Sequence, residues 1–236
     1  MSPRQYRKPK GYETDHLLDR LNDEQLLDHM GVPARYWGMV LNTPRDFPPE
    51  VLLWLESMPF IFRPNVEAQR QDPLQQAGIG VVLYGEGGKG KTTMASALLL
   101  HLVRLRIPNI DPSGRNWTWS GAAMGRFYDW QACSEAFRLG NSGDEVHAAN
   151  AERIRSAMRL SAPMLDRADF LVVDDISRER ATEYNLTELQ RILRHRYDNC
   201  VPSIITSNYR PSEWEQVYGD VMAAFMARAF VAVEVV

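Results

Sequence analysis

The run Gly85-Glu86-Gly87-Gly88-Lys89-Gly90-Lys91-Thr92, with Thr93 after it, decides how this chain is read. It fits G-x-x-x-x-G-K-[ST], a loop whose glycines let backbone N–H groups turn toward phosphate oxygens. In such a loop Lys91 bridges the β- and γ-phosphates and the Thr92 hydroxyl ligates Mg²⁺. The flanks agree with that reading. Ile79 and the run from Val81 to Tyr84 have the character of a buried strand, and Lys91 to Arg106 is rich in helix formers up to Pro108. A helix starting at Lys91 adds the positive end of its dipole to the same anion site.

Further apolar runs lie outward from this unit. Phe170 to Val173, Val201 to Thr206 and Phe230 to Val235 read as strands. Lys91–Arg106, Arg126–Arg138, Glu145–Leu160, Leu186–Tyr197 and Trp214–Met226 read as helices, and Asn116–Ser120 as the second strand along the chain. Strands alternating with helices at this spacing predict an α/β fold, a parallel sheet sandwiched by helices. Before it, Leu17, Leu18, Leu21, Leu26, Leu27 and Met30 stand at helical spacing and end at Gly31 and Pro33. The expectation is a short helical segment over 1–33, open to a partner, ahead of one domain over 34–236 that includes a helix from Glu50 to Met58.

The composition suits that plan. The chain has 236 residues and 24% charged residues, those of an ordinary globular protein. Its mean hydropathy of -0.36 and the shortness of its apolar runs argue against a membrane span. The N-terminus is polar and basic (Arg4, Arg7, Lys8, Lys10) and has no secretory core, so the cytosol is expected. Cys133 and Cys200 share no metal or redox spacing and read as reduced thiols. The formal net charge of -3 excludes a uniformly basic nucleic-acid coat but permits a local basic patch.

Two later elements carry chemistry. Asp174 and Asp175 follow the run Phe170–Val173, at the carboxyl end of a strand, where open α/β sheets bind ligands. Asp174 is the candidate for holding Mg²⁺ through water, and Asp175 for orienting or deprotonating an attacking water. A pair of strand-end or helix-capping acids is the plain alternative. Ile204-Ile205-Thr206-Ser207-Asn208 ends a second such strand. Asn208 there is placed to hydrogen-bond a γ-phosphate or the lytic water, or else serves as a turn former before Tyr209-Arg210-Pro211.

Together, Gly85–Thr93, Leu171–Ile176 and Ile205–Asn208 resemble the AAA+ P-loop ATPases, and within them the DnaC-type helicase loaders and IstB-like transposition helper ATPases. Leu27–Trp37 is similar to the lead-in segment of those proteins, Leu193–Tyr197 to the helix before their sensor strand, and Tyr218–Arg228 to their final helix. The resemblance implies ATP and Mg²⁺ as ligands, Asp174 and Asp175 as the Walker B pair, and Asn208 as the sensor. It also implies that Arg228 is an arginine offered to a neighbouring subunit's ATP, hence a homo-oligomer. It implies a replicative helicase or a transposase as partner and DNA as a place of action.

The sequence departs from the family at three points. Lys89 occupies a loop position that is ordinarily small or hydroxylic, the N-terminal segment is short, and with the sequence ending at Val236 no C-terminal helical lid is expected. Arg126-Phe127-Tyr128-Asp129-Trp130, with Arg138, Arg153, Arg155 and Arg159, mixes cations and aromatics as single-strand-binding surfaces do, although aromatics at such spacing are as often core.

Overall fold

The computed structural model describes residues 21–42, 47–61, 79–105, 109–110, 116–117, 125–162, 168–177, 183–199 and 201–236. The expected helix residues Leu17 and Leu18, and Cys200, lie outside them. Three helices lead in: α1 (Asp23–His29), α2 (Trp37–Asn42) and α3 (Pro49–Ile61). The loop unit follows as β1 (Gly80–Tyr84) and α4 (Lys91–Leu105). A two-stranded antiparallel ribbon, β2 (Asn109–Ile110) and β3 (Asn116–Trp117), precedes β4 (Gly125–Asp129), α5 (Trp130–Gly140) and α6 (Glu145–Met158). The chain continues through β5 (Phe170–Asp174), α7 (Glu183–Asp198), β6 (Ser203–Ser207), α8 (Trp214–Tyr218), α9 (Asp220–Ala229) and β7 (Phe230–Glu234).

The main sheet has five strands in the order β4-β5-β6-β1-β7, and every pairing is parallel. Alternation along the strands divides the core. Val81, Leu83, Val172 and Ile204 pack with α1, α4 and Trp54 of α3. Val82, Leu171, Val173 and Ile205 pack with residues of α5 to α9 on the other face. Both faces of a parallel sheet must be covered, which is why these strands read as unbroken apolar runs. Among the described residues no helix follows β7, and none is long and apolar enough to cross a membrane.

The strand expected at Asn116–Ser120 is no member of this sheet. The described part, Asn116–Trp117, pairs only with β2, and the parallel neighbour of β5 is Gly125–Asp129. Arg126 to Asp129, expected as the start of a helix, is therefore extended. The physical reason is Asp129: its carboxylate accepts from Ala132 N at 2.9 Å and caps α5, so the helix begins at Trp130. The expected helix Trp214–Met226 is likewise two helices, broken at Gly219, whose φ of 80° no helix interior adopts.

Residues 23–33 contribute to the core of the sheet. Leu26, Leu27, Met30 and Val32 are buried beside α4, and Arg104 of α4 pairs with Asp23 at 2.6 Å. Phe127 N donates to Met30 O at 2.7 Å, so the lead-in chain covers part of the edge that β4 would otherwise leave open.

Arg196 near the end of α7 fastens three elements from inside. It is fully buried, and its donors reach Ser203 Oγ and the carbonyls of Met158, Ala168, Asp169 and Pro202 at 2.6 to 3.1 Å. These atoms lie at the end of α6 and at the approaches to β5 and β6. The clamp fixes where both strands begin, and hence where their carboxyl ends emerge.

Candidate nucleotide site

Because the five strands are parallel, Tyr84, Asp129, Asp174, Ser207 and Glu234 all end at one edge of the sheet. The Gly85–Gly90 loop lies there. Gly85, at φ 145°, passes so close to β7 that an added Cβ would stand 2.5 Å from Val235 O. Gly88 and Gly90 have φ of 82° and 87°, and a Cβ on either would meet nothing within 4 Å, so the loop opens outward. Glu86, Gly87, Gly88, Lys89 and Gly90 are exposed, while Lys91 is buried and Thr92 and Thr93 are half-buried in the first turn of α4.

Lys91 Nζ donates to the carbonyls of Gly85 and Glu86 at 2.8 and 2.7 Å. Desolvation lowers its pKa, and the carboxylates of Asp175 and Asp174 work against that shift. A partly desolvated ammonium held under an open glycine loop is suited to receive phosphate oxygens.

The Asp174 carboxylate is positioned by two hydroxyls. Thr92 Oγ1 reaches Asp174 Oδ1 and Oδ2 at 3.0 and 3.1 Å, and Thr206 Oγ1 donates to Asp174 Oδ1 at 2.7 Å. Burial raises the Asp174 pKa, and the neighbouring charges of Asp175 and Asp129 raise it further. The hydrogen bonds from Thr206 and Thr92 oppose the rise. A cation beside Thr92 would relieve this carboxylate. Among the described residues no cluster of three or more His, Cys, Asp or Glu stands ready to hold a metal unaided. A Mg²⁺ held by Thr92 and Asp174 would thus complete its oxygen shell with water and phosphate, and the donor set fits that ion.

Asp175 adopts φ 54°, uncommon for a residue with a side chain, and its N–H donates to Thr206 Oγ1 at 2.7 Å. Its carboxylate accepts from Ser177 Oγ at 2.9 Å and lies 3.4 Å from Asn208 Nδ2. Ser177 Oγ in turn accepts from Asn208 N at 2.9 Å. The structure therefore brings Lys91, Thr92, Asp174, Asp175 and Asn208 together. Thr206 and Ser177 belong to the same network. The small polar end of Ile204–Asn208 was the signal for Thr206, whereas nothing in the sequence singled out Ser177.

Arg228 is elsewhere. It is exposed on the last turn of α9, two residues before β7 begins, so it sits at the opposite edge of the sheet from the loop. Lys89 is exposed on the rim. Of the proposed single-strand-binding residues, Phe127 and Trp130 are core. Arg155 and Arg159 are tied to the buried Glu188 at 3.2 and 3.0 Å. Arg138 and Arg153 are exposed. Cys133 is buried and its thiol pushed up to about 12 by desolvation, so it is inert.

Strand order, glycine loop and strand-end acids define an α/β domain whose parallel sheet carries a phosphate-binding type of loop at its carboxyl edge. No family model and no curated relative matches the sequence. Among solved structures, the fold is similar to that of the DnaC helicase loader, with TM-score 0.55 and 19% identity over 86% of this chain and 100% of that one. It is also similar to a DNA replication initiation factor (TM-score 0.52, 15% identity, 83% of this chain, 48% of that one). A third similar structure is the replication initiator DnaA bound to AMPPCP and single-stranded DNA (TM-score 0.51, 15% identity, 83% of this chain, 49% of that one). The chain spans about half the length of the last two. At these identities the likeness is one of fold.

Proposed function

We propose that this protein binds ATP·Mg²⁺ and hydrolyses it slowly, as an oligomeric switch that serves DNA replication in the manner of a helicase loader, in the cytosol. The observation that carries the ATPase half is the continuous network Thr92–Asp174–Thr206–Asp175–Ser177–Asn208 at the mouth of the glycine loop. The replication half is supported by the shared fold with the DnaC helicase loader over the whole of that chain.

In this reading the loop amides and Lys91 bind the triphosphate, and Thr92 and Asp174 hold the cation. An ion held there would supply charge neutralisation to the phosphates. Asp175, aimed by Ser177 and by its own unusual backbone conformation, orients the attacking water and takes its proton. Asn208 holds the γ-phosphate or that water in line. Arg228 faces away from its own site, so its role is toward the ATP of a second copy, and Arg138 and Arg153 remain as exposed cations for nucleic acid.

The test is Mg²⁺-dependent phosphate release, measured with and without single-stranded DNA, alongside anisotropy of a labelled oligonucleotide. Turnover raised by DNA supports the proposal. Turnover without any DNA binding removes its replication half, and absence of turnover under every condition removes the whole.

A further inference from the structure

Arg228 is one of two guanidiniums mounted on the same aromatic cluster. Arg194 of α7 lies over the Phe225 ring at 4.8 Å, and Arg228 of α9 lies over the Tyr197 ring at 5.6 Å. The two rings meet edge to face at 6.0 Å and 87°, and Phe225 meets Phe230 in the same way at 6.1 Å. Gln190, with its amide oxygen turned to Arg194, accepts from Nε and Nη2 at 3.3 and 3.1 Å.

Among the described residues neither arginine has a carboxylate within ion-pair distance. Arg104, Arg138, Arg155, Arg159, Arg191 and Arg210 all have one. Arg210, the arginine that follows Asn208, is engaged with Glu234 at 3.5 Å. The loop edge bears Glu86, Asp129, Asp174, Asp175 and Glu234 against Lys89, Lys91 and Arg210, while the α7–α9 junction at the opposite edge presents Arg194 and Arg228 with the exposed Asp198 close by in sequence. An edge with an excess of acids and an opposite edge with two guanidiniums unpaired among the described residues favour head-to-tail association of identical chains.

We infer that Arg194 acts with Arg228 as a two-arginine clamp on the nucleotide phosphates held at the loop edge of a second copy of this chain. The inference rests on the reading that Arg228 works in trans. A ring face orients each guanidinium at little cost in rotamer freedom and leaves its outer N–H groups for an anion. Two planar donors can bridge adjacent phosphoryl groups, so Arg194 adds grip on the same triphosphate that Arg228 reaches.

The experiment uses full-length Arg194→Ala, Arg194→Gln, Arg228→Ala and Lys91→Ala, with three readouts: phosphate release, ATP-dependent self-association by sedimentation, and thermal melting. Both Arg194 variants should stay folded, melting only slightly below the wild type for the lost ring contact, and bind ATP as monomers. They should lose about 10-fold or more in turnover and lose ATP-dependent association. Mixing either with Lys91→Ala should restore part of the turnover, because each copy supplies what the other lacks. Wild-type turnover and association in the Arg194 variants would overturn the inference, and so would a defect that Lys91→Ala does not rescue. If Arg228→Ala is impaired and rescued while the Arg194 variants behave as wild type, only this inference falls. If Arg228→Ala keeps full turnover, the trans reading falls and this inference with it.

Discussion

Thr206 Oγ1 donates to Asp174 Oδ1 at 2.7 Å, and the same oxygen accepts the Asp175 N–H at 2.7 Å. One buried hydroxyl on β6 therefore sets both acids at the end of β5: the first by its carboxylate, the second by its backbone.

Thr206→Val keeps the shape of the side chain and removes both bonds. It leaves the half-buried Asp175 N–H without this acceptor and Asp174 Oδ1 with Thr92 alone, at a cost of about 1–3 kcal/mol. Turnover should fall more than ATP affinity does, and Thr206→Ser should restore most of it. Urea unfolding and steady-state kinetics on the three proteins check this.

Asp174 carries a stability signature with a definite sign. Its folded-state pKa lies above the usual carboxylate range, chiefly through desolvation. The group's favourable contribution is then complete below the unfolded pKa and is lost as pH rises through the folded value. Asp174→Asn should consequently melt higher than the wild type at pH 7 without nucleotide, and the gain should vanish at about pH 3. The same variant should lose Mg²⁺-dependent turnover. Calorimetric scans across pH, with a phosphate-release assay, measure both.

Arg196 is fully buried and bonds four carbonyls and one hydroxyl. Arg196→Ala would leave the carbonyls of Met158, Ala168, Asp169 and Pro202 buried without these donors, and a loss of about 3 kcal/mol or more is expected. Arg196→Lys, with fewer donors and no planar fork, should recover only part of it. Chemical denaturation measures the loss.

The loop, α4 and the apolar strands β1, β5, β6 and β7 were legible because a strand buried on both faces needs consecutive apolar residues, and Phe170–Val173 or Ile204–Ile205 can serve little else. The strand β4 was hidden. Gly125-Arg126-Phe127-Tyr128-Asp129 is short, has polar residues at both ends, and runs straight into the amphipathic helix that starts at Trp130. Asp129 as a helix cap was the available clue.

Lys91, Thr92, Asp174, Asp175 and Asn208 were legible as a constellation, since each follows an apolar strand or a glycine loop. Thr206 and Ser177 were not, because their roles depend on the register that sets Val173 beside Ile205 and on the backbone turn at Asp175. The pairing of Arg155 and Arg159 was hidden for a related reason. Their partner Glu188 lies on another helix, and periodicity within α6 carries no trace of it.

The most direct test of the central claim compares Mg²⁺-dependent ATP turnover of the wild type with that of Asp175→Asn, with ATP binding measured on both by nucleotide fluorescence. The account predicts that the variant binds ATP with near wild-type affinity and loses turnover by about 100-fold or more. Equal turnover in the two proteins, or none in the wild type despite tight ATP binding, would contradict it.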